Sequence, residues 1–437
     1  MELRKYSLPC VWKGARLLRY EVRVGQELSI NQTILVLSVP TGTKVVTYKG
    51  DEGSFVSELP LQPNEAVKAN TILMLYTYCP HDIVYYGLCA TCYKKPKVKR
   101  MVKVLPSTPK LLVSAAKAEQ IASRRKRRLH DNKRLSLVLD LDHTLLHAQD
   151  LSLGTSRVPK PLCTHSHIMK QTIMVAWRPH LQQFLEEASK LYELHIYTHG
   201  RRSYAEAIAN ELDPKNIYFA PQGDVGQRRI TSLDDDKDNQ ETKRQKVTYT
   251  KRIDRLFPGD DRQVLVLDDS NVWGASPNVI RVKKFRAWNP HGTKAISAAA
   301  KDDHLLNMLS LLHKCHSLYY RQPEGDVKTC LAALKQRLFR GYSLFLSGMD
   351  RHISTYTAIV KQYGATVLLT NPTHTDDEKT LIIIGDESQL FQAGIHIRWI
   401  IDCIRECKLL DLTPYKKNKH NSHTRDYYAI EMAERVL

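Results

Sequence analysis

The 437-residue sequence has no uninterrupted apolar run near the ~20 residues that a membrane-spanning helix needs, although 42% of it is hydrophobic. No membrane segment is expected. The opening Met1-Glu2-Leu3-Arg4-Lys5 leads into no apolar signal region either, so an intracellular location is expected. Nine cysteines, an odd number, then read as thiols or metal ligands rather than as a disulfide framework. Acidic residues are also scarce: 46 Asp and Glu stand against 65 Lys and Arg, a net charge of +19. That excess suits polyanionic partners, phosphorylated protein or nucleic acid, and does not choose between them. The length suggests about three domains.

What is present centres on Asp140-Leu141-Asp142-His143-Thr144, which follows the apolar run Leu135-Ser136-Leu137-Val138-Leu139. The run reads as a buried strand, so two carboxylates stand at the strand end where ligands bind in an open α/β sheet. Asp140 is placed to attack a phosphoryl group, and Asp142 to protonate the leaving oxygen and then activate water. Two anions that meet need a cation, and Mg²⁺ held by few carboxylates is the expected one. On these five residues alone, a turn carrying solvated acids is an equal alternative. Three further segments break the tie. Leu194-His195-Ile196-Tyr197-Thr198 is a second short strand ending in a hydroxyl, Thr198, that can donate to a phosphoryl oxygen. Lys251 is a candidate cation for the phosphoryl charge, and Val264-Leu265-Val266-Leu267 is a third strand ending in Asp268-Asp269.

Strand-Asp-x-Asp, strand-Thr, Lys and strand-Asp-Asp, in that order, form the signature of the haloacid dehalogenase superfamily. The words LVLDLDHTLLH, WRPHLQQFLEEASKLYELHIYTHGRRSYAEAIANELDP, KRIDRLFPGDD and VLVLDDSNVW resemble the FCP/SCP-like phosphatases of the RNA polymerase II carboxy-terminal domain, in their longer, TFIIF-associating branch. The resemblance implies an α/β haloacid-dehalogenase-like core with a parallel sheet over 134–322. It implies Asp140 as nucleophile, Asp142 as general acid/base, and Thr198 and Lys251 as phosphoryl binders. Mg²⁺ would be held by Asp140, Asp142 through its carbonyl, and Asp269, with Asp268 orienting the lysine. Arg178, in Trp177-Arg178-Pro179, matches a family arginine at the active site; Tyr192, Asp213 and Arg229 match further family positions, Tyr192 and Arg229 being taken as substrate contacts. By their sequence context alone, Tyr192 reads as core and Asp213 as a helix stop. One stretch departs from the family: Arg229-Ile230-Thr231-Ser232-Leu233-Asp234-Asp235 lacks its second arginine, and 234–246 reads as a solvated loop.

Outside that core, residues 1–98 read as a β domain with a Cys/His knuckle. Gly25-Gln26-Glu27-Leu28 leading to Thr33-Ile34-Leu35-Val36-Leu37 is echoed 38 positions later by Pro63-Asn64-Glu65-Ala66 leading to Thr71-Ile72-Leu73-Met74-Leu75. Two such halves resemble a biotinyl/lipoyl barrel, while Lys44 in Thr41-Gly42-Thr43-Lys44-Val45 does not suit a swinging-arm carrier. A docking barrel is expected. Cys79, His81, Cys89 and Cys92 have the ligand types of a closed structural Zn²⁺ site, balanced against unligated thiols. Of the other cysteines, only Cys403 and Cys407 are close, at a spacing that suits packing on one helix face. Residues 99–133 read as a basic linker whose run Arg124-Arg125-Lys126-Arg127-Arg128 is either a nuclear import signal or a solvated helix face. The resemblance favours the nucleus.

Residues 335–420 resemble an α/β BRCT domain, with Trp399 as its core tryptophan, and 421–437 form a C-terminal tail. Ser347-Gly348 matches a phosphopeptide-binding position, but 386–394 carries no lysine, so a docking wall is the expected role. The combined expectation is a Mg²⁺-dependent protein serine/threonine phosphatase acting on the phosphorylated heptad tail of RNA polymerase II through an aspartyl-phosphate, with TFIIF as a candidate partner. Two alternatives remain: a nucleic-acid 3′-phosphatase in DNA repair, and a non-catalytic scaffold for phosphorylated tails. An extended channel between the catalytic and BRCT domains would favour the first reading, and a duplex-end platform the 3′-phosphatase.

Overall fold

The computed structural model describes residues 2–50, 53–96, 101–103, 110–150, 166–169, 173–220, 228–236, 250–289, 294–322, 325–349, 352–372, 378–385 and 394–416. The tail 421–437, Cys163, most of the stretch 234–246 and nearly all of 386–394 lie outside them. Contacts divide the chain into two compact units, Met1–Ser123 with Arg255–Gly259, and Arg124–Asp254 with Asp260–Leu437.

The first unit is β-rich, as its alternating apolar pattern predicts. One antiparallel sheet runs Glu2–Ser7, Ile72–Tyr78, Ser54–Glu58, Glu27–Leu28, and a second runs Arg16–Tyr20, Thr33–Val39, Gly42–Thr47. Leu17, Ile34, Leu37, Tyr48, Leu73 and Met74 form one core within it. Asn31, two residues before Thr33, and Asn70, one residue before Thr71, both adopt the left-handed conformation that asparagine tolerates. A smaller sheet follows, ordered Met101–Lys103, Leu111–Ser114, Ile83–Tyr85, Leu88–Cys89. The segment 99–133 thus supplies two strands and the helix Ala115–Asp131. Part of its basic run is anchored rather than solvated, since Arg125 donates to the Asp260 carbonyl at 2.7 Å and Arg128 pairs with buried Glu193 at 2.7 Å.

The second unit is built on a five-stranded parallel sheet in the order Ile230–Thr231, Tyr192–Tyr197, Leu135–Leu139, Val264–Asp268, Val279–Arg281. Leu135–Leu139 and Val264–Asp268 are buried at every position, which is why both read as continuous rather than alternating apolar runs. Helices Leu181–Leu191, Arg202–Leu212 and His304–Tyr319 contribute to its core. A three-stranded antiparallel sheet, Leu146–Asp150, Ile173–Trp177, Ser166–Met169, begins directly after the Asp140 loop.

Residues 343–396 form a second parallel sheet, ordered Thr366–Leu368, Ser343–Ser347, Thr380–Ile384, Ile395–His396. Trp399, on the helix Arg398–Glu406, is buried against Phe339 and Tyr342 and donates its indole N–H to the Leu410 carbonyl at 2.9 Å. Glu406 at the end of that helix latches this sheet's domain to the larger one. It accepts from His304 Nδ1 at 2.8 Å, Asn307 Nδ2 at 2.7 Å and Lys283 Nζ at 3.0 Å. The backbone N–H of Lys283 donates to His304 Nε2, which requires that ring nitrogen to be proton-free, and burial likewise lowers the His304 pKa. Burial alone would raise Glu406; its donors prevail and hold it far below the ordinary 4.5.

A carboxylate depressed on folding contributes stability above its unfolded pKa and loses that contribution as pH falls through and below 4.5. Glu406→Ala is expected to cost about 2–4 kcal/mol near neutrality, because it leaves three donors without an acceptor. In urea unfolding, the gap between wild type and Glu406→Gln should be widest at neutral pH and close as the medium becomes acidic. A gap that ignores pH would exclude the ionised carboxylate as the latch.

Candidate active site

The three central strands end side by side. Leu139 is in register with Ile196 on one side and Leu267 on the other, so Asp140, Thr198 and the pair Asp268-Asp269 emerge together at the carboxyl edge of the sheet. Asp140 donates its backbone N–H to the Leu267 carbonyl at 3.0 Å, which locks the two acidic loops to each other. The parts read from separate sequence words are therefore one cluster.

Its centre is Lys251, 3% exposed, whose Nζ donates to Asp140 Oδ1 and to Asp268 Oδ2, each at 2.7 Å. Burial alone would lower this lysine, but the two carboxylates outweigh it and hold it above the usual lysine range. Asp268 is saturated: Oδ1 accepts from the Ser270 N–H and hydroxyl, and Oδ2 from Lys251 and the Trp273 indole. Burial opposes its ionisation, yet those donors lower its pKa. Burial pushes Asp140 up, with Asp268 and Asp142 adding to the rise and Lys251 resisting it.

Asp142 has a different environment. Burial raises its carboxyl, and a hydrogen bond from the Tyr204 hydroxyl at 2.7 Å works the other way. The sequence gives no hint of Tyr204. It lies in the first turn of Arg202–Leu212, six residues beyond Thr198, and its importance appears only when that turn faces the Asp140 loop. Its ring also fills the space beside Gly200, where an added Cβ would lie 2.6 Å from it. Thr198, 1% exposed, accepts the Gly200 N–H at 3.0 Å and keeps its own hydroxyl proton available.

Carboxylate oxygens of Asp140, Asp268 and Asp269 lie within 4.8 Å of one another, a donor set of hard oxygens suited to Mg²⁺. Because Asp268 is already occupied by four donors, Asp140 and Asp269 are the side chains free to coordinate. Lys284 approaches Asp269 to 3.4 Å and opposes the rise that burial imposes on it.

A family model of NLI interacting factor-like phosphatases matches residues 135–322, and a BRCT domain model matches residues 337–416. Residues 135–322 are an NLI interacting factor-like phosphatase domain. A human RNA polymerase II C-terminal domain phosphatase is 33% identical over 253 residues, covering 54% of this chain and 25% of its own length. Its Caenorhabditis elegans namesake is 25% identical over 408 residues, covering 83% of this chain and 59% of its own. The chain thus spans between a quarter and three-fifths of those relatives. The solved structure of Fcp1, an essential RNA polymerase II CTD phosphatase, aligns over 68% of this chain and 99% of that one, at 23% identity and a TM-score of 0.48.

Within the phosphatase domain, three residues expected to touch substrate face the protein instead. Arg178, 1% exposed, spends its guanidinium on both oxygens of Asp302, at 3.0 and 3.2 Å, and on the Thr144 carbonyl at 2.9 Å, bracing the loop that carries Asp140 and Asp142. Tyr192 is core and donates its hydroxyl to the Leu312 carbonyl. Arg229 donates to the Leu194 and Tyr218 carbonyls, so it ties the loop before Ile230–Thr231 to its neighbouring strand. Asp213 accepts the N–H groups of Ile217, Tyr218 and Phe219, which is a turn-forming role. Near Leu233, where the family arginine is absent, Asp234 accepts the Arg202 N–H and Asp235 pairs with its guanidinium.

Arg178→Ala should lower stability by about 3–5 kcal/mol, because Asp302 is left without its counterion, and Arg178→Lys should recover little of it since an ammonium cannot reproduce the fork. Urea unfolding midpoints measure this. An unchanged midpoint with weakened substrate binding would return Arg178 to the substrate side.

Proposed function

We propose that this protein is a Mg²⁺-dependent, aspartate-based protein phosphatase that removes phosphate from serine or threonine in the heptad tail of RNA polymerase II. The chemistry is carried by two carboxylates in contrasting settings. Asp140, facing the Lys251 ammonium, is the nucleophile: its carboxylate oxygen bonds to phosphorus as the bond to the serine oxygen breaks. Asp142, raised by burial, supplies the proton to that oxygen. In the second half-reaction Asp142 takes a proton from water, which attacks phosphorus and frees Asp140. The Lys251 ammonium and the Thr198 hydroxyl offset charge on the phosphoryl oxygens. Asp140, Asp269 and the Asp142 carbonyl would hold the Mg²⁺, which screens the phosphoryl charge as the two anions meet.

One observation supports a phosphorylated tail as the substrate. A cleft of about 1460 Å³ begins at Asp269-Ser270-Asn271 and runs between the phosphatase domain and the BRCT helix, reaching Arg405 and Lys408. Its described lining holds eleven lysines and arginines and a single carboxylate, Asp269. A basic channel that reaches the acidic cluster at Asp269 fits a repeatedly phosphorylated chain. It also gives the BRCT domain its role as a wall of that channel. A nuclear location follows from such a substrate.

Phosphate release from a serine-phosphorylated heptad peptide should require Mg²⁺ and fall to background in Asp140→Asn, while a 3′-phosphorylated oligonucleotide is left intact. Turnover of the oligonucleotide alone would move the protein to nucleic-acid repair, and release from neither would favour a scaffold. Tyr204→Phe tests the acid separately. Removing a bond that favours ionised Asp142 raises its pKa further, so the pH above which activity declines should move upward; an unmoved profile would separate Tyr204 from the acid.

A further inference from the structure

The first unit contains a side-chain cluster that the phosphatase reaction does not use. Cys79 lies just beyond the end of the strand Ile72–Tyr78, His81 two residues on, Cys89 at the end of the short strand Leu88–Cys89, and Cys92 in the turn that follows. Their four ligand atoms all lie within 4.8 Å of one another. Cys79 Sγ is 3.5 Å from Cys89 Sγ, and Cys92 Sγ is 3.4 Å from His81 Nδ1. A tetrahedron with Zn–S of about 2.3 Å and Zn–N of about 2.0 Å places neighbouring ligand atoms roughly 3.5–3.8 Å apart. Cys79, His81 and Cys89 are buried, and the thiols pack with Phe55 away from solvent.

The backbone around the cluster is shaped to bring these atoms together. Cys89-Ala90-Thr91-Cys92 turns so that the Thr91 N–H points at Cys89 Sγ at 3.3 Å, and Tyr93 then closes the turn in the left-handed conformation with its N–H on the Cys89 carbonyl. On the other side, Cys79-Pro80-His81 is a tight pair, and His81 reaches back through a positive φ of 49°. The space for its ring comes from Gly53, at φ +82°, where a Cβ would lie 2.9 Å from His81 Nε2. A side chain at position 53 would strike the imidazole. Two unrelated loops are thus adapted to a convergence that packing alone does not require.

We propose that Cys79, His81, Cys89 and Cys92 bind one structural Zn²⁺ that ties the end of Ile72–Tyr78 to the Ile83–Tyr85 and Leu88–Cys89 hairpin. All four positions are filled by protein, so the ion has no open coordination site and takes no part in phosphate chemistry. Its effect is on the folding of the N-terminal unit, where two short strands have little apolar surface of their own. It is also chemically distinct from the aspartate site: soft thiolates select zinc, whereas the carboxylate cluster suits a hard cation.

The test uses the full chain purified without chelator. Metal analysis should find one zinc per chain, and replacing it with Co²⁺ should give the intense visible absorption of a tetrahedral thiolate site. Cys92→Ser, at the most accessible ligand, should weaken that absorption and speed metal loss to a colorimetric chelator. If the variant does not fold, the wild-type cobalt spectrum still decides the matter. After EDTA treatment, Mg²⁺ alone should restore phosphatase activity while the cobalt spectrum reports the other site independently. Protein without zinc whose three thiols react freely with a thiol reagent, or a Cys79–Cys89 disulfide found by mass spectrometry, would overturn the proposal.

Discussion

Four aspartates converge at one sheet edge, and the fold has to keep them from expelling one another. Lys251 is the centre of the solution. Its ammonium bridges Asp140 and Asp268 at 2.7 Å each, so a buried cation compensates two buried anions. Removing such a cation would leave like charges facing in a low-dielectric site, several kcal/mol in cost. Asp268 completes the arrangement by accepting from Trp273 and Ser270 as well, and so remains an anion that orients the lysine. Asp140 is left with one committed oxygen and Asp142 with a tyrosine. Those differences in partner, imposed on identical residues, separate their chemical roles.

The charge cluster is held by further polar latches that reach across the sequence. Arg178 grips the Thr144 carbonyl on the catalytic loop and Asp302 124 residues later. Glu406 gathers His304, Asn307 and Lys283 from about a hundred residues away. Apolar packing tolerates small sliding movements, whereas a bidentate ion pair or a carboxylate with three donors specifies an orientation. The orientation of the BRCT helix matters because it forms one wall of the basic cleft that begins at Asp269.

The core of the site was legible in the sequence because each part is local. Asp140, Thr198 and Asp268 each follow a short apolar run, and a buried parallel strand has that signature. Once the runs are strands of one sheet, their ends meet with no further information. The roles of Arg178 and Arg229 were not legible, because what decides them is a partner distant in sequence, whereas Tyr192 reads as core from its context and is core. Nothing near Arg178 announces Asp302, and nothing near Tyr192 announces the Leu312 carbonyl. Tyr204 failed differently: it is close to Thr198 in sequence, but an aromatic in a first helical turn reads as packing until the turn is placed against Asp142. The basic run 124–128 was half legible, as charge marks exposure by default and only Asp260 and Glu193 show which arginines are anchored.

The same reasoning explains where the net charge of +19 is used. At the catalytic edge the cations are few and individually bonded: Lys251 is committed to two carboxylates and Lys284 reaches a third. Eleven cationic residues line the cleft; Lys283, Lys284, Lys328 and Arg405 among them are paired with Glu406, Asp269, Asp261 and Asp402, and the lining itself holds one carboxylate. Exposed charges interact through water over about 8–10 Å, which permits loose attraction of a polyanion without fixing its register. Solvent-facing and buried charge thus occupy different dielectric environments, and Asp269, which belongs both to the cleft lining and to the acidic cluster, is where they join.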